Sequence, residues 1–317
     1  MKNLFHYFLC PDCKASFFDD GGAGNKLDGM IKDVLTCANG HIFPFDDGIP
    51  DFTSFQNKGQ DKSTVESFGF EWQWDNVPRT EEDLYFRVFE KPNVTPEFLK
   101  GKLVLDVGCG AGLQTKIMAK CGATVIGVDL SEAVRAAYHN NIEYRDRVCI
   151  ARADIFHLPF AEETFDYIYC EGVLQHTKNP QAAFYSLARL LKKEGQIFAT
   201  FYTRREGWFM PFLFFRQPLR VFLSRLPSKW CWRICWFSIP LNKIPILKHL
   251  FRKTIVLYDK RNPGSKAIWC LNYDFYGPHK YQFYFSPGEI RKIWQDAPIH
   301  LTILHSEYDY PLRGKRK

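Results

Sequence analysis

Asp106, Gly108, Gly110 and Gly112 stand in the run Leu103-Val104-Leu105-Asp106-Val107-Gly108-Cys109-Gly110-Ala111-Gly112, and Asp129 closes a second apolar run, Thr124-Val125-Ile126-Gly127-Val128-Asp129-Leu130. Glycines after an apolar strand let the backbone turn sharply and approach a ligand at the start of a helix. An acid at the end of the neighbouring strand can take a pair of ribose hydroxyls. Together they describe a nucleotide-type cofactor site. The spacing is Gly-x-Gly-x-Gly, not the dinucleotide Gly-x-Gly-x-x-Gly. A carboxylate two residues before the first glycine would repel a pyrophosphate and suits a cationic amino-acid group instead.

Such residues need parallel strands and helices to hold them. The two apolar runs read as buried strands a helix apart, followed by a short strand at 148–151 and then Ala153-Asp154-Ile155. Residues 165–170 form a further strand, residues 187–191 close a helix, and residues 195–201 form the next strand. Thr95-Pro96-Glu97 and Asn179-Pro180 each place a capping residue before a proline, and Ser286-Pro287-Gly288-Glu289 adds the glutamate of a capping box. Residues 299–304 and 308–310 suit two closing strands.

In this order the segments resemble the class I S-adenosylmethionine-dependent methyltransferases, most closely the type 11 group that includes the ubiquinone and menaquinone methyltransferases. The resemblance spans about residues 60–315 and implies an α/β fold. That fold is a doubly wound, seven-stranded, mostly parallel Rossmann-like sheet whose last two strands form an antiparallel hairpin. It also implies that Asp106, Gly108, Gly110 and Gly112 cradle the methionine part of S-adenosylmethionine and that Asp129, with Leu130 beside it, takes the ribose. Asp154 then meets the adenine amine, and Ile155 covers a ring face.

A second constellation lies ahead of this domain. Cys10-Pro11-Asp12-Cys13 and Cys37-Ala38-Asn39-Gly40-His41 provide Cys-x2-Cys and Cys-x3-His pairs on either side of a Gly- and Asp-rich loop. Four N and S ligands suit tetrahedral zinc and leave no open position, so Cys10, Cys13, Cys37 and His41 predict a structural Zn2+. About 50 residues bury too little core to fold firmly alone, which gives a metal crosslink a purpose. The stretch from His41 to Phe52 resembles the zinc-ribbon-like module that precedes many bacterial methyltransferases, and a comparable finger heads the zinc-bearing 23S rRNA guanine methyltransferases. The division is a module at 1–55 and a methyltransferase domain at 60–317.

Composition sets limits on location and partners. No window supplies the ~20 uninterrupted apolar residues of a spanning helix, and no secretory leader is apparent at the start. The ten cysteines are spread through an α/β chain, which suits a reduced, cytoplasmic protein. Net charge is +7, and much of the excess is local. Arg204, Arg205, Arg216, Arg220, Arg225, Lys229, Arg233, Lys243, Lys248, Arg252 and Lys253 face the single acid Glu206 within 204–257. This segment belongs to an insertion at about 204–285, between the fifth strand and the helix begun by Ser286, where α/β connections usually take a few residues. Its aromatic and basic residues interleave, as in Trp208-Phe209-Met210-Pro211-Phe212-Leu213-Phe214-Phe215-Arg216 and Trp230-Cys231-Trp232-Arg233-Ile234-Cys235-Trp236-Phe237. Three readings compete: peripheral contact with a membrane surface through 204–257, a surface that stacks and binds RNA, and a plain lid with a satellite core. Phe-rich runs with repeated prolines favour lipid or a greasy acceptor over RNA. The aromatic stretch Ser67-Phe68-Gly69-Phe70-Glu71-Trp72-Gln73-Trp74 suits packing over the cofactor pocket or into a core.

Methyl transfer needs acceptor and methyl aligned within about 3–3.5 Å with water excluded, and a base only if the acceptor must lose a proton early. The turn Glu171-Gly172-Val173-Leu174-Gln175-His176 follows the fourth strand and reaches that place. His176 is the best candidate for the base, against a pocket histidine with no proton-transfer role; Glu171 is a second candidate, for cofactor or acceptor contact. Asp274, His279 and Tyr281, from a stretch dense in hydrogen-bonding aromatics, are candidates for the acceptor. The expected function is methyl transfer to a small-molecule or lipid-linked acceptor. The alternatives are an rRNA or tRNA methyltransferase and a silent cofactor-binding partner of another methyltransferase.

Overall fold

The computed structural model describes residues 4–17, 30–31, 34–53, 62–74, 79–203, 212–245, 248–258, 264–295, 297–303 and 309–316. Residues 54–61, the head of the insertion at 204–211 and residues 304–308 lie outside them. An N-terminal module of short antiparallel strands comes first: β1 (Met30–Ile31), β2 (Val34–Thr36), β3 (Ile42–Asp46) and β4 (Ile49–Pro50), in that order across the sheet. Helix α1 (Lys62–Trp74) follows, then α2 (Glu81–Tyr85) running into a π turn at Phe86–Glu90, and then α3 (Pro96–Leu99).

The main sheet is built from β5 (Leu103–Val107), β6 (Thr124–Asp129), β7 (Val148–Arg152), β8 (Phe165–Cys170), β9 (Leu191–Thr203), β10 (Tyr284–Phe285), β11 (Ile299–Ile303) and β12 (Asp309–Arg316). Its order is β7-β6-β5-β8-β9-β12-β11, with β10 paired in parallel to the end of β9. All neighbours are parallel except β12, which runs antiparallel to both β9 and β11. Every residue of β5 is buried, as a parallel strand covered on both faces requires. Helices α4 (Leu113–Lys120), α5 (Ala133–Asn140) and α6 (Pro180–Ala188) make the crossovers. The chain winds from β5 through β6 to β7 on one side, then crosses to β8 and β9 on the other. The carboxyl ends of β5 and β8 therefore flank the crevice where such sheets bind ligands.

Two boundaries differ from expectation. Helix α6 ends at Ala188, and Leu191 already opens β9. The last strand runs through the basic residues to Arg316, because β9 and β11 pair with it on both sides.

The N-terminal module closes the β7 edge. Asp51 forms a parallel bridge with Arg152, the Phe52 N–H donates to the Arg152 carbonyl at 2.9 Å, and the Leu9 N–H donates to the Pro159 carbonyl at 2.8 Å. Phe8 lies 5.3 Å from the Phe52 ring and 5.2 Å from Phe160. Phe8, Phe17, Phe43 and Phe52 are all buried and continue the core of the main sheet.

Helices fill the described part of the insertion: Gln217–Leu223, Ser228–Cys235, Ser238–Lys243, Lys248–Thr254 and Ser265–Tyr276, after a π turn at Phe212–Arg216. Their inner residues, among them Leu223, Cys231, Trp232, Cys235 and Tyr273, form a satellite core. Two of the insertion's arginines do not contribute to a basic surface. Arg216 is buried and donates to the carbonyls of Thr254 (3.0 Å) and Arg252 (2.8 Å), closing the end of helix Lys248–Thr254. Arg220 donates to the His279 carbonyl at 3.0 Å.

Candidate functional site

The turn after β5 takes φ of +68° at Gly108, +53° at Gly110 and +71° at Gly112, a region that favours glycine. Space enforces the same choice. A Cβ at Gly108 would lie 2.2 Å from Val173 Cγ2, and one at Gly110 would lie 2.9 Å from the Trp72 indole. The turn is thus walled by α1 on one side and the loop after β8 on the other. Asp129 Oδ2 accepts the Gly110 N–H at 3.0 Å, and Oδ1 accepts from the Ser131 N–H (2.8 Å) and hydroxyl (2.7 Å). A carboxylate offers about four acceptor positions, so one on Oδ2 is left among the described residues. Leu130 is half-buried, and its carbonyl accepts from Arg152 Nε at 3.0 Å.

Asp106 is buried, with the Thr115 hydroxyl donating to Oδ2 at 2.5 Å. Burial pushes its carboxyl up to about 7 against the pull of Thr115, and the charges of Asp129 and Glu171 add to the rise. A cation placed there would restore its charge. Asp154 and Ile155, both buried, follow β7 at the same carboxyl edge. The Asp154 carboxylate accepts the Phe156 N–H at 3.1 Å and faces His157 Nδ1 at 3.4 Å.

Glu171 is held by three groups of the protein itself. Its carboxylate receives Lys91 Nζ at 2.6 Å, Arg87 Nη1 at 2.9 Å and the Tyr169 hydroxyl at 2.8 Å. Burial alone would raise its pKa, but the Lys91 and Arg87 cations overcome this and hold it well below the usual carboxylate range. It is a fixed anion that ties the turn after β8 to the π turn at Phe86–Glu90, not a proton acceptor.

His176 is buried, with Nδ1 3.0 Å from the Tyr281 carbonyl and Nε2 3.3 Å from the Tyr202 hydroxyl, which in turn donates to Asp274 Oδ2 at 3.2 Å. Burial lowers its pKa against the charge of Asp274, so the ring is neutral near pH 7. Tyr281 meets it through a backbone carbonyl; its own ring stacks on Phe283 at 6.2 Å. The His279 ring lies 5.5 Å from His176 and stacks on Phe68 at 4.3 Å. Three of the sequence candidates, His176, Asp274 and His279, therefore meet. Around them the side chains of Gln175, which faces Tyr202, and of His279 and Gln282 complete no hydrogen bond of normal geometry among the described residues, though buried.

Gln175 falls in the 171–176 turn and Phe68 and Trp72 in the 67–74 aromatic stretch, whereas Tyr202 and Gln282 lie outside every motif read from the sequence. Tyr202 had a usable signal, since it closes a parallel strand at the edge where ligands bind.

In the N-terminal module the ligand atoms of Cys10, Cys13, Cys37 and His41 all lie within 4.8 Å of one another. Cys13 and Cys37 sulfurs are 3.8 Å apart, and His41 Nδ1 is 3.5 Å from both Cys10 and Cys37 sulfurs. Zn–S near 2.3 Å and Zn–N near 2.0–2.1 Å give tetrahedral edges of about 3.8 and 3.5 Å. The donor set fits that ion.

A glycine turn and an adjoining acid at the switch point of this strand order define an α/β domain with a site for a nucleotide-type cofactor. Residues 105–199 match the methyltransferase domain family. A ubiquinone biosynthesis O-methyltransferase of Coxiella burnetii is 41% identical over 101 residues, covering 32% of this chain and 43% of that one. Another from Pseudomonas fluorescens is 39% identical over 107 residues, covering 32% and 44%. The chain thus spans less than half the length of these curated relatives. Among solved structures, the magnesium protoporphyrin IX methyltransferase of Synechocystis with bound SAH is 18% identical with a TM-score of 0.42, covering 82% of this chain and 90% of that one. An S-adenosylmethionine-dependent methyltransferase from Aquifex aeolicus is 17% identical with a TM-score of 0.43, covering 74% and 93%.

Proposed function

We propose that this chain transfers a methyl group from S-adenosylmethionine to a hydroxyl of a small acceptor. The observation that carries the reading is a group of polar side chains with buried atoms that complete no hydrogen bond of normal geometry among the described residues: Gln282, Gln175, which faces Tyr202 two residues beyond the Val173 that walls Gly108, and His279, which faces the Asp274 backbone. Buried polar groups normally find partners, so these await a ligand with hydroxyl or carbonyl groups. When bound, the cofactor supplies an electrophilic methyl. Asp106 and the 108–112 turn would hold its methionine part, the open position on Asp129 its ribose, and Asp154 with Ile155 its adenine.

The trio His176, Tyr202 and Asp274 can store one proton. The Tyr202 hydroxyl has a single hydrogen, which it gives to Asp274; Nε2 of a neutral His176 is then a free base. Protonated there, His176 would donate to the Tyr202 oxygen while the Asp274 carboxylate balances its charge. The curated relatives named for O-methylation in ubiquinone biosynthesis support an oxygen acceptor of quinone-precursor type. Cys10, Cys13, Cys37 and His41 would hold a structural zinc ion.

Purified protein incubated with methyl-labelled S-adenosylmethionine and fractionated cell extract tests the reading. Label is expected in organic-soluble small molecules, and His176→Gln should reduce transfer about a hundredfold without changing cofactor affinity. Label confined to RNA, or cofactor binding with no turnover on any fraction, would overturn it.

A further inference from the structure

Among the described residues, most exposed large hydrophobic side chains lie in one place; Ile42, Tyr85 and Ile142 stand singly elsewhere. Phe214, Phe215, Val221, Phe222, Trp230, Ile234, Trp236, Phe237, Ile244 and Leu250 all lie in the helical insertion, and Phe214 (65% exposed), Phe222 (61%), Phe237 (58%) and Trp230 (57%) lead them. Scattered apolar residues need no explanation, but these follow helical periodicity. On helix Ser228–Cys235 and its continuation, Trp230, Arg233, Ile234 and Phe237 are exposed at i, i+3, i+4 and i+7, while Cys231 and Cys235 on the other face are buried in the satellite core. Phe214, Val221, Phe222 and Arg225 form a second outward stripe, with Leu223 turned inward. A helix apolar on both faces belongs where both are covered, and in the isolated chain one face of each is bare. At roughly 200 Å² per ring, the six exposed aromatic rings present about 600–700 Å².

Charge identifies what covers them. No acid occurs between Glu206 and Asp259, and Arg225, Lys229, Arg233 and Lys243 are exposed among the aromatics; Arg233 lies over the Trp230 ring at 5.1 Å. Aromatic rings with interleaved cations suit the headgroup layer of an anionic bilayer, where the rings enter the acyl boundary and the cations meet phosphates. No helix of the described residues is long and apolar enough to cross a membrane, so the contact is peripheral.

We infer that the helical insertion docks this protein on an anionic lipid surface and that its acceptor is drawn from that surface. The second clause rests on the proposed methyl transfer. The layer that bears the stripes also bears the acceptor-site residues: helix Ser265–Tyr276 carries Asp274, and Arg220 holds the His279 carbonyl. An amphiphile lying in the bilayer would thus meet the site through the insertion.

The test is co-sedimentation of the full chain with sucrose-loaded vesicles of phosphatidylcholine alone and with 30% phosphatidylglycerol. Binding is expected only with the anionic lipid and should weaken as salt rises. Phe222→Ser/Trp230→Ser/Phe237→Ser and Arg225→Glu/Lys229→Glu/Arg233→Glu should each lower vesicle binding at least tenfold, with unchanged circular dichroism and S-adenosylmethionine affinity. Wild-type protein that ignores anionic vesicles, prefers a single-stranded RNA oligonucleotide to them, or buries these residues in a dimer stable at nanomolar concentration would overturn the inference. Cofactor titration separates the two readings: loss of cofactor binding with vesicle binding intact would sink the methyltransferase reading and leave the surface standing.

Discussion

Cofactor affinity is expected to follow the ionisation of Asp106. In the proposed site the ionised carboxylate would attract the cationic methionine end of S-adenosylmethionine, and the protonated acid would not. With the carboxyl at about 7, apparent Kd should rise about tenfold for each pH unit below 7, or about 1.4 kcal/mol per unit. The folded protein without cofactor responds in the opposite sense. An unfolded aspartate ionises near 3.9, so the stability contributed by the protonated carboxyl is present below that value and lost as pH rises through 7, on the order of 4 kcal/mol. Cofactor binding offsets this loss, so the rise in Tm on adding S-adenosylmethionine should be larger at pH 8 than at pH 6. Isothermal titration from pH 5.5 to 8 measures the affinity directly. Asp106→Asn should weaken binding and flatten the profile. Thr115→Val removes a charge-assisted hydrogen bond of about 1.5–3 kcal/mol, which moves the inflection up by about one to two units. Wild-type affinity constant across this range, or an unchanged slope in Asp106→Asn, would refute the reasoning.

Gly110→Ala sets a methyl against Trp72 in a left-handed conformation and should weaken cofactor binding more than tenfold; Gly122→Ala, equally left-handed but with its nearest neighbour 3.5 Å away, should cost only stability. Affinity retained in Gly110→Ala would show that the turn does not bind the cofactor. Glu171→Gln removes the buried anion that Arg87 and Lys91 share, while Arg87 keeps Asp83 at 3.1 Å, and should destabilise the fold by about 1.5–3 kcal/mol, read from the urea midpoint. A midpoint unmoved by the change would contradict the fixed-anion assignment. Mass spectrometry should find one zinc per chain, absent in Cys13→Ser. Because the Phe8 and Phe52 core is shared with the main sheet, Cys13→Ser should lower the melting temperature of the whole chain; an unaffected main transition would count against that coupling.

What was legible in the sequence is what local pattern encodes. The 103–112 and 124–130 runs give strand, turn and acid within one βαβ unit, and the spacing of the Cys/His pairs marks four ligand atoms that the fold brings together. The rest depends on chain crossings. Glu171 looked available beside the methyl site because Arg87 and Lys91, 84 and 80 residues earlier, arrive only when α2 and its π turn pack on β8. Tyr202 and Asp274 are 72 residues apart and meet because the insertion folds back over the end of β9. Pro311 and the basic residues after it carry little strand propensity, yet pairing on both sides makes them a strand. Composition alone places Arg216 with the surface charge, yet it is buried, donating to carbonyls at the end of helix Lys248–Thr254.

The bridge from Asp51 and Phe52 to Arg152 also sets an order of events during synthesis. Phe160, against which Phe8 packs, lies 108 residues beyond Phe52, and at about 5–20 residues per second it leaves the ribosome roughly 5–20 s later. For that interval the phenylalanine face of the Cys/His module has no sheet to cover it. A metal held by Cys10, Cys13, Cys37 and His41 would keep the module's shape across the delay, so metal supply during translation would bear on how much of this chain reaches its native state.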